Sequence, residues 1–281
     1  MTPVQVAEQA LREGDLERAL KSLQDGVRTQ PADAKLRVFL FQLLCVLGQW
    51  QRAATQLEVC GELDASTLAM VGTYREALKC ELLRESVFAG KNTPIVFGQP
   101  QPWVAPLIEA LQADARGDSA AARRLRDDAF EAAPASPGTL NGERFEWIAD
   151  ADSRLGPVLE AVINGRYCWM PFAALAKLVI EPPADLRDLV WTAAQLKLTN
   201  GGELVALLPT RYAGTAEVAD SALRLARRTD WLPLAPTDLA QFRGLGQRVF
   251  ATSGDEIDML QLRELVFDPV AAGRAADVAS A

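Results

Sequence analysis

The sequence predicts an α+β protein in which an N-terminal α-helical repeat domain precedes a smaller, mainly antiparallel α+β domain. A glycine-containing pattern recurs in the first half at a spacing typical of paired helices. Short alternating apolar and polar runs, separated by turn residues, mark the second half. The segment Pro134–Gly138 has the composition of a linker. We therefore place the domains at 1–134 and 143–281, with a linker at 135–142.

The helical repeat is clearest in two copies of one pattern. Residues Gly14–Leu20 match Gly48–Ala54 at an offset of 34 residues, and a third copy begins at Gly117 and ends at Pro134. This period resembles the tetratricopeptide repeat, a helix–turn–helix unit. Glycine permits the tight turn, and a small alanine lets the paired helices pack closely. A further helix is expected near 66–89, and the alternative is an all-helical bundle with a coincidental match.

Stacked helical hairpins of this kind have a concave face that binds peptides or helices. We place a partner-binding cleft on this face or at its junction with the second domain. Any single apolar residue there could instead belong to the core. The predicted partner-binding residues are Val38, Gln42, Val46, Leu107, Leu111 and Trp147.

The second domain is predicted from two hairpins and two further strands. Asn200-Gly201 lies between two alternating runs and is a strong hairpin signal, and Ser253-Gly254-Asp255 marks a second turn. The expected hairpin arms are 195–199 with 203–208, and 247–252 with 256–267. Further strands are expected at 167–172 and 178–180, and helices at 154–163 and 216–228.

The chain contains no histidine, which excludes a Ser-His-Asp triad, a Cys-His pair and a histidine-ligated metal. It also has no glycine-rich phosphate loop, so no cofactor is expected. Asp150 and Asp152 could hold a hard cation, but there is no third carboxylate. The simpler interpretation is that Asp152 or Ser153 caps the helix expected next and that Arg154 pairs with a carboxylate. We therefore predict no metal site and no catalytic residues, and a carboxylate-based, metal-dependent enzyme is the remaining alternative.

Charge and composition indicate where the protein acts. The net charge of −8 argues against nucleic acid as a partner. The first residues do not resemble a secretory signal, and the apolar stretch Val38–Leu47 is too short to cross a membrane. The four cysteines are scattered without a close pair, as in a protein of the reducing cytoplasm. We expect a cytoplasmic protein without membrane contact.

Six short motifs, in order along the chain, resemble the ImpE/SciE-type family, also called TagJ, of bacterial type VI secretion accessory proteins. Together they are more specific than any one alone. Ala213 departs from the pattern, because a proline is expected before Gly214. The motifs are Asp150–Pro157, Tyr167–Pro171, Leu186–Trp191, Leu208–Tyr212, Thr229–Trp231 and Gly246–Arg248.

The resemblance implies a non-enzymatic adaptor of the contractile sheath. Members of this family are expected to bind the N-terminal helix of the small sheath subunit and to help couple the sheath to the ATPase that disassembles it. The family offers no catalytic residues to transfer to this chain. The alternative function, which would use the same helical repeats, is a general scaffold or chaperone for several secretion components.

Overall fold

The first half of the chain folds into antiparallel helical hairpins. The computed structural model describes residues 1–99, 101–236 and 238–269, so the last part of the expected second domain, 270–281, lies outside the described residues. Within the described residues of this half, the helices are α1 Pro3–Glu13, α2 Leu16–Thr29, α3 Ala34–Val46, α4 Trp50–Leu63, α5 Leu68–Phe88, α6 Val104–Ala115 and α7 Ser119–Ala132.

The three glycines of the repeat pattern lie at the predicted turns. Gly14, Gly48 and Gly117 separate α1 from α2, α3 from α4, and α6 from α7, and their φ angles are 80°, 68° and 79°. This left-handed conformation is unfavourable for residues with a Cβ atom. Asp15 and Asp118 follow two of these glycines and accept hydrogen bonds from backbone N–H groups of the next helix. The predicted helical hairpins are therefore confirmed.

The second half is built on a nine-stranded sheet of order β1-β6-β5-β9-β8-β7-β14-β2-β3. Strand β1 comes from the helical half and pairs with β6 in parallel, and the other pairs are antiparallel. Its strands are β1 Ile95–Val96, β2 Gly138–Leu140, β3 Glu143–Phe145, β5 Val158–Ile163, β6 Arg166–Pro171, β7 Leu175–Ile180, β8 Trp191–Leu198, β9 Glu203–Pro209 and β14 Glu264–Phe267. The predicted α+β class with a mainly antiparallel sheet is confirmed.

Two smaller sheets complete this half. The three-stranded one has the order β13-β12-β4, with β4 Ile148–Asp150, β12 Val249–Thr252 and β13 Glu256–Asp258. The other is the antiparallel pair β10 Thr229–Ala235 and β11 Asp238–Gly246. Both predicted turns are present, in β8–β9 around Asn200-Gly201 and in β12–β13 around Ser253–Asp255. The return arm expected at 256–267 is wrong beyond Asp258, because residues 264–267 form β14, which pairs with β2 and β7 of the large sheet.

Three further segments differ from their predictions. The helix expected at 154–163 is wrong, because β5 is an interior strand whose six residues are all buried and so lack an alternating pattern. The helix expected at 216–228 is also wrong: a 3₁₀ turn at Thr215–Glu217 and the short α8, Ser221–Arg224, form there, and Ala226 follows α8 with a φ of 52°. Within the expected linker, residues 138–140 form β2, because Gly138 packs directly on Val266 of β14.

Both faces of the large sheet are covered over its centre. On one face, Trp169, Trp191 and Leu207 share a core with residues of α3 and α5. On the other face, Leu159 and Leu208 pack with residues of the three-stranded sheet. The helices and the sheet therefore share one continuous core. Among the described residues, no helix is both long and apolar enough to span a bilayer.

Candidate functional site

The concave face proposed from the repeat pattern is largely covered by the protein itself. Val46 and Leu107 are fully buried, Leu111 and Gln42 are buried, and Val38 is half-buried. Seven consecutive residues of α3, from Leu40 to Val46, are buried, so this helix has neighbours on every side there. The assignment of these five residues to partner binding stays a prediction, and it requires the covering elements to move.

The cover comes from the second half of the chain. Arg211 donates a hydrogen bond of 2.8 Å to the Val46 carbonyl and one of 3.3 Å to the Cys45 carbonyl at the end of α3. Trp191 of β8 packs against Trp50 and Tyr74, with ring centroids 6.0 and 5.8 Å apart. The apolar trough of the helical array is therefore filled by the sheet half.

Trp147, the sixth predicted residue, lies in a cleft that is open to solvent. Its side chain is 44% exposed, which is unusual for a tryptophan. The cleft encloses about 390 Å³ where the end of α7 meets β4 and the loop after it. This volume is in the range of about 300–1,000 Å³ that is typical of binding clefts. We call it the Trp147 cleft, and its lining residues are Phe130, Ala133, Pro134, Ala135, Trp147, Ile148, Ala149, Asp150, Ala151, Ser153, Gly156 and Pro157.

Backbone contacts on both sides fix the position of Trp147. Its carbonyl accepts a 3.2 Å hydrogen bond from the N–H of Ser253, and the Ser253 hydroxyl accepts one of 2.8 Å from the Glu146 N–H. On the opposite wall, Phe130 packs so closely over Gly156 that a Cβ atom there would lie 2.3 Å from its ring. The two walls of the cleft are therefore fixed by these contacts, and the cleft joins the helical array to the sheet.

A buried ionic network lies behind the cleft and connects the two halves. Arg84 of α5 donates to Glu160 of β5 at 2.7 and 3.0 Å, and Glu160 also accepts from Arg248. Arg248 in turn donates to Asp150 at the floor of the Trp147 cleft. Tyr167 donates its hydroxyl hydrogen to Glu160. Charges buried this deeply are tolerated only when they are paired and hydrogen-bonded.

The two carboxylates of this network have opposite pKa shifts. Burial raises the pKa of Asp150 to about 7, although Arg248 acts in the opposite direction. Burial alone would also raise the pKa of Glu160, but the guanidinium groups of Arg84 and Arg248 hold it at about 2. Glu160 is therefore the firmly ionised partner of both arginines.

Asp152, the second carboxylate considered for cation binding, is also ion-paired with an arginine. It accepts hydrogen bonds from the Arg154 side chain at 2.6 and 2.9 Å and from the Gly244 N–H at 3.0 Å. The predicted pairing of Arg154 with a carboxylate is confirmed, although the element that follows is a strand. Among the described residues, no group of three or more Asp, Glu or Cys side chains has a geometry for holding a metal ion.

The acidic segment before β8 is part of the same interface. Asp185 pairs with Arg187, whose guanidinium lies 4.9 Å from the ring centroid of Tyr74 on α5. The backbone carbonyl of Asp188 accepts hydrogen bonds from Thr192 and Thr210. This segment therefore attaches to the sheet and also covers the helices.

This arrangement defines a class: an α+β protein whose tetratricopeptide-like helical hairpins are fixed to a large antiparallel sheet through a buried ionic interface. The family model described as ImpE protein matches residues 142–266. The type VI secretion system accessory component TagJ of Pseudomonas aeruginosa is 55% identical over 264 residues, 94% of this chain and 92% of that protein. The chain belongs to this TagJ (ImpE) family of type VI secretion accessory components.

A solved structure has the same fold over nearly the full length. The crystal structure of protein VPA1032 from Vibrio parahaemolyticus matches this chain with a TM-score of 0.86 at 25% sequence identity. The match covers 95% of this chain and 98% of that one, so the helical and sheet halves occur together in both proteins.

Most of the charged and aromatic residues in the family motifs lie in the buried interface and not on the surface. Three residues of the network were not identified from the sequence, namely Glu81, Arg84 and Glu160. Glu81 of α5 pairs with Arg84 at 3.4 Å and accepts a hydrogen bond of 2.8 Å from the Trp191 indole N–H. A signal for Glu160 was present, because it is the single charged residue in the apolar run Val158–Ile163. The motif residues of the interface are Asp150, Asp152, Arg154, Tyr167, Trp169, Trp191, Arg211, Tyr212 and Arg248.

Proposed function

We propose that this protein is a non-enzymatic, cytoplasmic adaptor of the type VI secretion sheath that binds the N-terminal helix of the small sheath subunit. The family membership supports the secretion role, and the Trp147 cleft supports the binding role. In this proposal the protein also helps to couple the sheath to the ATPase that disassembles it.

The observation that carries the proposal is an exposed tryptophan in a mostly apolar cleft between the helical array and the sheet half. A helix binds such a cleft by inserting apolar side chains from one of its faces. Tryptophan is enriched among the residues that dominate binding energy, because its large ring is desolvated on contact. The predicted junction between the helical array and the sheet domain is where this tryptophan lies.

The non-enzymatic part of the proposal rests on the state of the carboxylates. Asp150 and Asp152, the two considered for catalysis, each accept hydrogen bonds from a buried arginine. The two residues are only 3% and 0% exposed, so a substrate in the cleft has little access to either carboxylate. A hydrolysis screen with added divalent cations tests this part, and turnover that is lost in Asp150→Asn would contradict it.

Isothermal titration calorimetry with a synthetic peptide of the sheath-subunit helix tests the binding role. We expect Trp147→Ala to cost about 2 kcal/mol, or roughly a thirtyfold loss of affinity. The matched control is Leu82→Ala, because Leu82 is also a large exposed apolar side chain, 55% exposed, but lies on α5 outside the cleft. Unchanged affinity in the Trp147 variant, with the fold intact by circular dichroism, would reject this site.

A further inference from the structure

The C-terminal end of α7 has carbonyl groups without a cap. The last hydrogen bond of the helix joins the Ala133 N–H to the Ala129 carbonyl at 3.0 Å. The carbonyls of residues 130–132 receive no hydrogen bond from the described residues. Pro134 has no N–H group and so cannot supply one. These carbonyls form the negative end of the helix dipole, which favours a cation nearby.

This uncapped end lies at the Trp147 cleft. The carbonyls of an α-helix point along its axis towards the C-terminus. Phe130 in the last turn and residues 133–135 after it line the cleft together with Trp147. Among the described lining residues, Asp150 is the only charged one, and its carboxylate is already bonded to Arg248. The walls of the cleft therefore offer hydrogen-bond acceptors but contribute no cation of their own.

Acidic side chains stand next to both walls of the cleft. Glu131 of α7 and Glu146, which precedes Trp147, are exposed. Arg144 lies 4.0 Å from Glu146, but it forms shorter, bidentate hydrogen bonds of 2.7 Å with Asp268. The two glutamates add negative potential around the cleft, and such a potential favours a partner that brings a positive charge.

The protein itself uses arginine to cap two other helix ends. Arg227 donates hydrogen bonds of 2.6 and 3.3 Å to the carbonyls of Leu11 and Arg12, in the last turn of α1. Arg211 likewise donates to two carbonyls at the end of α3. In each case a single guanidinium group serves two carbonyls of one helix end. The end of α7 lacks such an arginine among the described residues.

We propose that the partner helix in the Trp147 cleft carries an arginine that caps the end of α7 and stacks on the exposed Trp147 ring. This inference rests on the proposed function and names the side chain that the cleft selects. A guanidinium group is planar, so its edge donates to carbonyls while its face contacts an aromatic ring. Tryptophan is the best aromatic partner for a cation. Lysine has a compact ammonium group and fits the two roles together less well.

Isothermal titration calorimetry with the full chain and the sheath-subunit helix peptide tests this inference. Each arginine of the peptide is replaced in turn by citrulline, which has nearly the same shape but no charge. We expect one replacement to weaken binding by roughly tenfold or more, because charged hydrogen bonds and the ring contact are lost. Lysine at the same position should recover only part of the affinity. Citrulline peptides that all bind within about twofold of the parent peptide would overturn the inference.

A double-mutant cycle places the arginine at the cleft. Trp147→Leu removes the aromatic ring and keeps an apolar side chain, so citrulline should then weaken binding less than it does with the wild type. Leu82→Ala, the control outside the cleft, should leave the effect of citrulline unchanged. Circular dichroism confirms that each variant is folded. An equal effect of citrulline in the wild type and in Trp147→Leu would overturn the inference, because the arginine would then bind elsewhere.

The outcomes separate this inference from the proposed function. Absence of binding, or binding that does not depend on Trp147, would reject the cleft as the partner site and the inference with it. Binding that depends on Trp147 but on no arginine of the peptide would overturn the inference alone, and the proposed function would stand.

Discussion

Arg84 of α5 and Glu160 of β5 form a bidentate ion pair, with N–O distances of 2.7 and 3.0 Å, in the core between the helices and the sheet. The two residues are 76 positions apart in sequence, and both side chains are almost completely buried. This pair connects the two halves of the chain directly, and through Arg248 it extends to the floor of the Trp147 cleft.

Removal of one partner of this pair should strongly destabilise the folded protein. Arg84→Ala leaves the Glu160 carboxylate with one arginine in a dry environment, and we expect a loss of about 3–5 kcal/mol in unfolding free energy. Arg75→Ala is the matched control, because Arg75 lies on the same helix and forms an exposed bidentate pair with Glu58. An exposed ion pair contributes less than about 1 kcal/mol to the unfolding free energy, so Arg75→Ala should have the smaller effect. Similar losses in urea unfolding for both variants would contradict a buried interface.

The stability of the protein should be greatest in mildly acidic solution. The pKa of Glu160 is lowered from 4.5 to about 2. Its contribution to the unfolding free energy is therefore fully present above pH ~4.5 and is lost as the pH falls towards ~2. The pKa of Asp150 is raised from 3.8 to about 7. Its contribution to the unfolding free energy is therefore fully present below pH ~3.8 and is lost as the pH rises through ~7. Together these shifts predict a maximum near pH ~4–5.

Urea unfolding across this pH range measures the effect. The Asp150→Asn variant cannot ionise at this position, so its stability should vary less between pH ~5 and ~8 than that of the wild type. Stability of the wild type that rises steadily from pH ~4 to ~8 would show that Asp150 is ionised in the folded protein at all these values.

The turn glycines of the repeat should differ in their tolerance of alanine. Gly48 and Gly117 have similar left-handed conformations, which by themselves cost alanine about 1–2 kcal/mol. A Cβ atom at Gly48 would lie 2.5 Å from the Cβ atom of Ala216, whereas nothing lies within 4 Å at Gly117. Gly48→Ala should therefore lower the unfolding free energy by at least about 1 kcal/mol more than Gly117→Ala. Equal losses would mean that Ala216 does not pack on this turn.

The four cysteines should be unreactive in the folded protein. Cys45, Cys60, Cys80 and Cys168 are all free and buried. Burial raises the pKa of Cys60 to about 11 and that of Cys80 to about 12, so few thiolates form at neutral pH. Titration with Ellman's reagent should detect four thiols, all of them only after unfolding. A thiol that reacts before unfolding would show that part of the core opens locally.

The sequence predicts features with a local signature and misses those without one. The helical hairpins follow from Gly14, Gly48 and Gly117, and the β8–β9 hairpin from Asn200-Gly201, because each turn requires particular residues. Strand β5 lacks such a signature, since it is buried on both faces and its apolar residues do not alternate.

The candidate site was only partly predictable for a related reason. The repeat pattern identifies the concave face of the helices but does not indicate what covers it, and here Trp191 and Arg211 of the sheet half do so. The pairing of Arg84 with Glu160 likewise depends on residues distant in sequence. Of the residues proposed from the sequence, Trp147 is the one that lies exposed in a cleft.

Photo-crosslinking most directly tests whether the Trp147 cleft binds the sheath helix. A benzophenone group is placed on the apolar face of the sheath-subunit helix peptide, and the crosslinked residues of the full chain are identified by mass spectrometry. We predict crosslinks within 130–135 and 147–157, the two segments that line the cleft. Crosslinks confined to α1 and α3, with none in these segments, would contradict the account.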